Sequence, residues 1–251
     1  MKHTQSASPS KHIQASYSSL QDEIYKQAHA SGRTPEAITL VVVTKKQSIA
    51  SIKSIYDLGH RHFGENRIEE AADKIPVLSA ATQSSHPPIT WHMIGHIQSR
   101  KARSAITLFD HLHSIDSIKL AKRLSNFASH ENTTASLLLQ CNVSGESTKS
   151  GFVASDTSPN SSQWSDLVQS ISEISVLPNI IITGLMTMAP MASNPENSRP
   201  TFRTLRLLRD QISHRFPQLS IKHLSMGMSA DYGIAIQEGA TMVRIGTSIF
   251  G

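Results

Sequence analysis

With 251 residues, 38% of them hydrophobic and 17% charged, the chain carries enough apolar material for a full core and is not a disordered segment; its one cysteine, Cys141, excludes an internal disulfide and fits a reducing compartment. The formal net charge of +5 allows an anionic partner, but the one dense basic group, Arg100, Lys101 and Arg103, has no aromatic residue interleaved, so a small anion fits better than nucleic acid. The first ten residues are polar and no apolar run approaches membrane-spanning length, so the expectation is a soluble cytoplasmic protein with no membrane partner.

After a polar tail at 1–10, the apolar positions Ile13, Tyr17, Leu20, Ile24 and Ala28 recur at helix spacing over 11–31. Ile38 to Thr44 is a continuous β-branched and aliphatic run, the composition of a strand buried on both faces, and it stops at Lys45-Lys46. From there helices and strands alternate. A helix at 48–59 leads to a strand from Arg61 to Gly64 and a helix from Glu65 to Lys74. A Ser/Pro-rich loop near 79–88 precedes the strand Thr90 to Gly95 and a helix from Gln98 to Leu108. The strand His111 to Ile115, a helix from Ser117 to Ser129 and the long strand Ala135 to Val143 follow. The last part pairs a helix at 161–175 with the strand Ile180 to Met188, a helix at 199–214 with Lys222 to Met226, and a short helix from Asp231 to Glu238 with Thr241 to Gly246.

Eight strands separated by helices imply a parallel sheet, and eight is the number that closes a (β/α)8 TIM barrel as one domain over 11–251. The eighth strand runs almost into the C-terminus, so the extra N-terminal helix is expected to cover the gap behind it. An open doubly wound sheet is the rival, but no G-x-G-x-x-G follows a strand and no phosphate-binding G-x-x-x-x-G-K-[ST] occurs.

In such a barrel function sits at the C-terminal ends of the strands, and phosphate sites favour the loops after strands seven and eight. Those loops are Leu224-Ser225-Met226-Gly227-Met228-Ser229-Ala230-Asp231 and the turn after Met242-Val243-Arg244-Ile245-Gly246-Thr247. Ser229 reads as the N-cap of the short helix behind it, a place for an anion. Lys45 and Lys46, adjacent in an extended segment, point to opposite faces, so one of them enters the barrel mouth; a desolvated lysine facing a phosphate cradle suits a Schiff base to an aldehyde. Arg244 sits in an apolar strand and needs an acceptor, either a carboxylate such as Glu65, backbone carbonyls, or the ring nitrogen of a pyridine cofactor.

These motifs together resemble the pyridoxal 5′-phosphate (PLP) homeostasis proteins. The likeness covers roughly 38–251 and rests on Val42-Val43-Thr44-Lys45, Phe63-Gly64-Glu65-Asn66, Trp91-His92-Met93-Ile94-Gly95-His96-Ile97-Gln98, Asn142-Val143 with Lys149-Ser150-Gly151, Gly184-Leu185-Met186, Leu224 to Ser229 and Thr241 to Gly251. Thr44 stands where serine is usual, and Arg67 and His96 where an aromatic and a proline are common. The resemblance implies an alanine racemase N-terminal domain-like barrel. In it Lys45 forms the internal aldimine, Arg244 faces the pyridine nitrogen, Ser229, Gly246 and Thr247 hold the phosphate, and Asn66, Met226 and Met228 line the pocket. It further implies a non-catalytic monomer that buffers PLP or delivers it to PLP-requiring apoenzymes.

Two alternatives stay open: a PLP enzyme such as an amino-acid racemase, and a phosphate-binding barrel without PLP. Racemisation needs a second acid/base group, commonly a tyrosine, and Tyr17, Tyr25, Tyr56 and Tyr232 all fall in predicted helices. His92 and His96 have zinc-helix spacing but bracket a strand, which separates them by roughly 13 Å. His60/His62 and His111/His113 share strand faces without a carboxylate or cysteine cluster, so ordinary hydrogen-bonded or exposed histidines are expected. Cys141 reads as a small packing residue, and Lys149 as a solvated lysine or a second anion contact.

Overall fold

The computed structural model describes residues 9–82 and 88–251. Nine parallel strands are present among them: β1 (Thr39–Val43), β2 (His62–Glu65), β3 (Thr90–Met93), β4 (His111–Ile115), β5 (Ala135–Asn142), β6 (Phe152–Val153), β7 (Ile180–Met186), β8 (His223–Ser225) and β9 (Met242–Ile245). All but β6 form a ring in the order β1-β2-β3-β4-β5-β7-β8-β9, and the β1–β9 pairing, with Thr39 opposite Met242 and Val42 opposite Ile245, closes it. The short β6 pairs with β5 outside the ring. It lies in a Ser/Gly segment that shows no strand pattern in sequence. Gly151 is why it can form: its φ is +122° and a Cβ there would lie 2.6 Å from the Gln140 carbonyl oxygen.

The helices are α1 (Pro9–Ala30), α2 (Ile49–Tyr56), α3 (Ile68–Thr82), α4 (Ala102–Leu108), α5 (Ile118–His130), α6 (Ser162–Ser175), α7 (Arg199–Arg215), α8 (Tyr232–Gln237) and the single turn α9 (Thr247–Phe250). The chain after β9 is therefore not without a helix, but α9 is too short to cover the barrel. As expected, α1 fills the gap, packing against α9, α2 and α8. Serines 48, 117 and 161 accept a backbone N–H at the starts of α2, α5 and α6, which fixes where those helices begin.

Three expectations shift. The helix expected to end at Lys74 continues through Pro76 to Thr82, because Leu78 and Thr82 keep the buried stripe of Ala71 and Ile75 going. Residues 79–82 of the expected loop are thus helical, and 83–87 lie outside the described residues, as do 1–8 of the polar tail. The helix expected from Gln98 opens as a 3-10 turn, Ser99–Lys101, before α4. No described helix is long and apolar enough to cross a membrane.

Between barrel and helices lies one large core, in which Phe63, Phe202, Ile52, Ile55, Leu112 and Leu124 are fully buried. The barrel interior is different. Alternate residues point inward, and there a small apolar set, Val41, Leu138, Met186 and Met242, is joined by five polar rings, His62, His92, His111, His113 and His223.

Candidate functional site

At the C-terminal ends of the strands a cavity of about 490 Å³ opens, with Lys45 on one wall, Arg244 at its base and Asn66, Ser229, Gly246 and Thr247 around it. Each of these residues follows a barrel strand except Arg244, which lies inside β9.

Lys45 does not lie in extended chain. Strand β1 stops at Val43, and Thr44 to Gln47 form a turn closed by the Gln47 N–H to Thr44 carbonyl bond at 3.0 Å, with Lys46 in the left-handed region at φ 61°. The Lys46 N–H donates to Glu70 Oε2 at 3.0 Å, which holds that uncommon conformation in place. Thr44, just before, is gripped twice: its hydroxyl donates to Glu65 Oε1 at 2.7 Å and its carbonyl accepts from Lys74 Nζ at 2.9 Å. Lys74 also pairs with Glu65 at 2.8 Å. The backbone carrying Lys45 is therefore rigid, while its side chain is exposed, not desolvated as the strand reading implies, and Nζ has no hydrogen-bond or ion-pair partner among the described residues.

Arg244 is its opposite. It is 4% exposed, and its Nη1 donates to Ser225 Oγ at 2.6 Å and Nη2 to the Thr187 carbonyl at 3.0 Å. Glu65 is not its partner, since that carboxylate is occupied by Thr44 and Lys74. No carboxylate lies within ion-pair distance of it among the described residues, and burial pulls its pKa down to about 10, which leaves it charged at neutral pH.

The turns after β8 and β9 form the third side. Gly227, at φ +93°, turns the chain so tightly that a Cβ would lie 2.5 Å from Ala235 Cβ. Ser229 lines the cavity, but it is not the cap of α8. That position belongs to Asp231, whose Oδ1 accepts the Met228 N–H at 2.7 Å while Oδ2 accepts the Ser198 hydroxyl at 3.1 Å. Gly246 presses against the Val43 carbonyl, where a Cβ would sit 2.9 Å away. Met228 stands at the mouth, 37% exposed, but Met226 does not line the cavity: it is fully buried in the main core, on the other side of the reversal made at Gly227. Asn66 Oδ1 is buried at the wall with no hydrogen-bond partner.

Residues 25–251 match the family described as "Alanine racemase, N-terminal domain". The chain is 36% identical to the "Pyridoxal phosphate homeostasis protein" of Vibrio alginolyticus over 95% of its own length and 97% of the relative's, and 37% identical to the protein of the same description from Synechocystis sp., over 86% and 92%. The chain belongs to the pyridoxal phosphate homeostasis protein family. Its fold superposes on PipY of Synechococcus elongatus PCC7942, solved with PLP bound, with a TM-score of 0.76 and 34% identity over 95% of this chain and 100% of that one.

Other positions singled out in this homeostasis-family sequence fall as follows. Lys149 reaches the cavity wall but is engaged, with Nζ 3.1 Å from Glu146 Oε2, 3.2 Å from Ser144 Oγ and 3.1 Å from the Met188 carbonyl. His96 is exposed at the rim, 3.2 Å from Asp116. Cys141 is buried, and burial pushes its thiol up to about 12, so it packs as a small apolar residue. None of Tyr17, Tyr25, Tyr56 or Tyr232 lines the cavity, and among the described residues no group of three or more His, Cys, Asp or Glu is placed to hold a metal ion. Sequence reasoning missed Lys74 and Ser225 as parts of the site, and it singled out Glu65 without its actual partners, Thr44 and Lys74. Phe63-Gly64-Glu65-Asn66 marks Glu65, whereas Lys74 and Ser225 act on partners distant in the chain.

Proposed function

We propose that this chain binds PLP in the cavity at the top of the barrel through Lys45 and holds it without turning a substrate over, buffering the cofactor or handing it to PLP-requiring apoenzymes. One observation carries this reading: a lysine amine without a partner among the described residues, and a buried guanidinium, charged at neutral pH, that has no ion-pair partner among them, line one cavity whose volume suits a small molecule. The orphaned Asn66 Oδ1 adds an acceptor waiting for a donor. These residues fit PLP. Bound there, PLP supplies an aldehyde that condenses with a lysine amine and a pyridine ring able to act as an electron sink.

Each residue then has a task. Lys45 offers the amine from a rigid turn. Ser229, Gly246 and Thr247 hold the phosphate, and Asn66 and Met228 complete the walls. Arg244 directs N–H groups at the ring nitrogen; as a donor only, it keeps that nitrogen unprotonated and so weakens the sink. That favours holding the cofactor over using it. The racemase alternative loses support because no tyrosine reaches the cavity and Lys149 is tied into three contacts. One copy of the chain contains every residue named, consistent with a monomer.

Purified protein reconstituted with PLP should be yellow, with an imine absorption band that borohydride reduction fixes on Lys45 and Lys45→Ala abolishes. Protein that stays colourless with excess PLP sinks both the carrier and the enzyme readings. If it is coloured, single enantiomers of amino acids are added and followed by chiral chromatography: no racemisation supports the carrier, racemisation the enzyme.

A further inference from the structure

A file of hydrogen-bonded side chains crosses the barrel interior from Arg244 toward the opposite mouth, and the reading above gives its members no role. Arg244 Nη1 lies 2.6 Å from Ser225 Oγ, which lies 2.8 Å from His113 Nδ1. His113 Nε2 is 2.9 Å from His92 Nδ1, and His92 Nε2 is 3.1 Å from His62 Nδ1. Ser225, His113 and His92 are wholly buried, and His62, at the N-terminal end of β2, is half-buried.

The direction of every bond in this file follows from its first member. A guanidinium has donors and no acceptor, so the Ser225 oxygen accepts from Arg244, and because its hydroxyl meets no other acceptor among the described residues its single proton points at His113 Nδ1. His113 Nδ1 therefore carries no proton, and its Nε2–H donates to His92 Nδ1. The same step places the proton of His92 on Nε2, facing His62 Nδ1, and leaves the last N–H of the file on His62 Nε2. All three imidazoles are neutral and share one tautomer. Burial favours this state, holding His92 and His113 well below the usual histidine range, with the charge of Arg244 adding to the effect at His113.

We propose that Ser225, His113 and His92 are positioning residues for Arg244: by occupying a single tautomer they keep the Ser225 oxygen turned to Nη1 and so aim the remaining guanidinium N–H groups into the cavity. The inference rests on the reading that Arg244 meets the ring nitrogen of the ligand. A carboxylate in place of Ser225 would orient the guanidinium equally well but neutralise it; a hydroxyl oriented from behind fixes the head group and leaves its charge for the ligand. The second acceptor is fixed too, because the Thr187 hydroxyl donates to the Cys141 carbonyl at 2.8 Å and steadies the residue whose own carbonyl receives Nη2.

The far end of the file is where a proton can enter. Burial holds His62 below the usual histidine range, Asp110 offsets part of this by favouring its charged form, and the His60 ring centroid lies 6.5 Å away. His111, stacked on His92 at 4.8 Å and bonded to Ser136, is flanked by Asp110 and His223, and Lys222 adds a positive charge beside His223. A protonated His62 has to donate from Nδ1, which forces His92 and His113 to switch tautomer in turn. The switch stops at Ser225, since Arg244 cannot accept.

The test has two independent arms. In ligand-free protein at pH 7.5, ¹⁵N NMR of labelled histidine should show His62, His92 and His113 each with a bare Nδ1 and a protonated Nε2; an imidazolium or an Nδ1–H tautomer at His92 or His113 overturns the proposal. In PLP-reconstituted protein, Ser225→Ala should raise the Kd for PLP about ten-fold or more and shift the absorption band, with Ser225→Thr restoring both. If Ser225→Ala binds PLP as tightly as the parent with an unmoved band, the positioning role is refuted while the PLP reading stands. If the parent itself takes up no PLP, the PLP reading fails and so does this role, whatever tautomers are found. Should Ser225→Ala not fold, the NMR measurement on the parent still decides.

Discussion

Mild acid should destabilise this protein before its carboxylates titrate, and His60 sets the scale. His60 lies under the barrel floor, 7% exposed, with Nδ1 3.1 Å from the Tyr17 hydroxyl and Nε2 2.7 Å from the His62 carbonyl. The geometry is satisfied by a neutral ring that accepts from Tyr17 and donates to His62. Burial pushes its pKa from 6.5 down to about 4. Because the folded value is the lower one, the unfolded chain takes up the proton first; the stabilisation is whole above about pH 6.5 and is lost as pH falls toward 4. The full gap corresponds to about 3.4 kcal/mol, and the part lost between pH 7 and pH 5 is about 2 kcal/mol. His92, His113, His62, His111 and His223 are all held low by burial, so their contributions have the same sign. Against a total of about 5–15 kcal/mol for a typical domain, that loss is easily seen. Urea unfolding followed by circular dichroism at pH 7.5, 6 and 5 should show the midpoint falling steadily, and His60→Gln should have a pH dependence smaller by about 2 kcal/mol over the same range. A midpoint equal at pH 7.5 and pH 5, or an unchanged slope in His60→Gln, would refute the assignment of neutral, desolvated histidines to this interior.

Lys74→Met removes the cation 2.8 Å from the fully buried Glu65 and should cost about 3–5 kcal/mol in urea unfolding, most of it recovered by adding Glu65→Gln. Gly95→Ala would set a Cβ 2.1 Å from the Asn66 carbonyl oxygen; the strand ends must part, so we expect a loss of about 1–3 kcal/mol or more together with weakened PLP uptake by absorption titration. Arg33 Nη1 donates to the Ile236 carbonyl at 3.1 Å and the Ala240 carbonyl at 2.7 Å at the end of α8, and Arg33→Ala should lower stability by about 2 kcal/mol, or Tm by about 4–8 °C in a thermal melt.

The order of strands and helices is legible in the sequence because strands buried on both faces are unbroken apolar runs, as in Leu40 to Val43 or Leu137 to Leu139, with polar or small-residue breaks between. Lys45 and Arg244 stand out for the same reason, each a charge at or inside such a run. What could not be read depends on partners far away in the chain. Asp231, not Ser229, takes the N-cap position of α8, and its carboxylate is held by the Met228 N–H and by the hydroxyl of Ser198, thirty-three positions earlier. The turn at Lys46 exists because Glu70 receives its N–H. Met226 and Met228 are chemically alike, and only the reversal at Gly227 sends one to the core and the other to the mouth. The interior histidines share strand faces as spacing predicts, yet their hydrogen bonds run between strands β2, β3, β4 and β8, a matter of register that one strand's sequence does not contain.

The double grip on Thr44 has a consequence for how a ligand comes and goes. Since hydroxyl and carbonyl are both tied down before anything binds, the capture proposed at Lys45 would immobilise one side chain and no main chain, an entropy cost of about 1.5–2 kcal/mol at most. A mobile loop would lose about 1–2 kcal/mol for each residue it ordered. Release by the proposed route would return that same side-chain freedom and leave the turn as it was, ready for the next molecule without rearrangement.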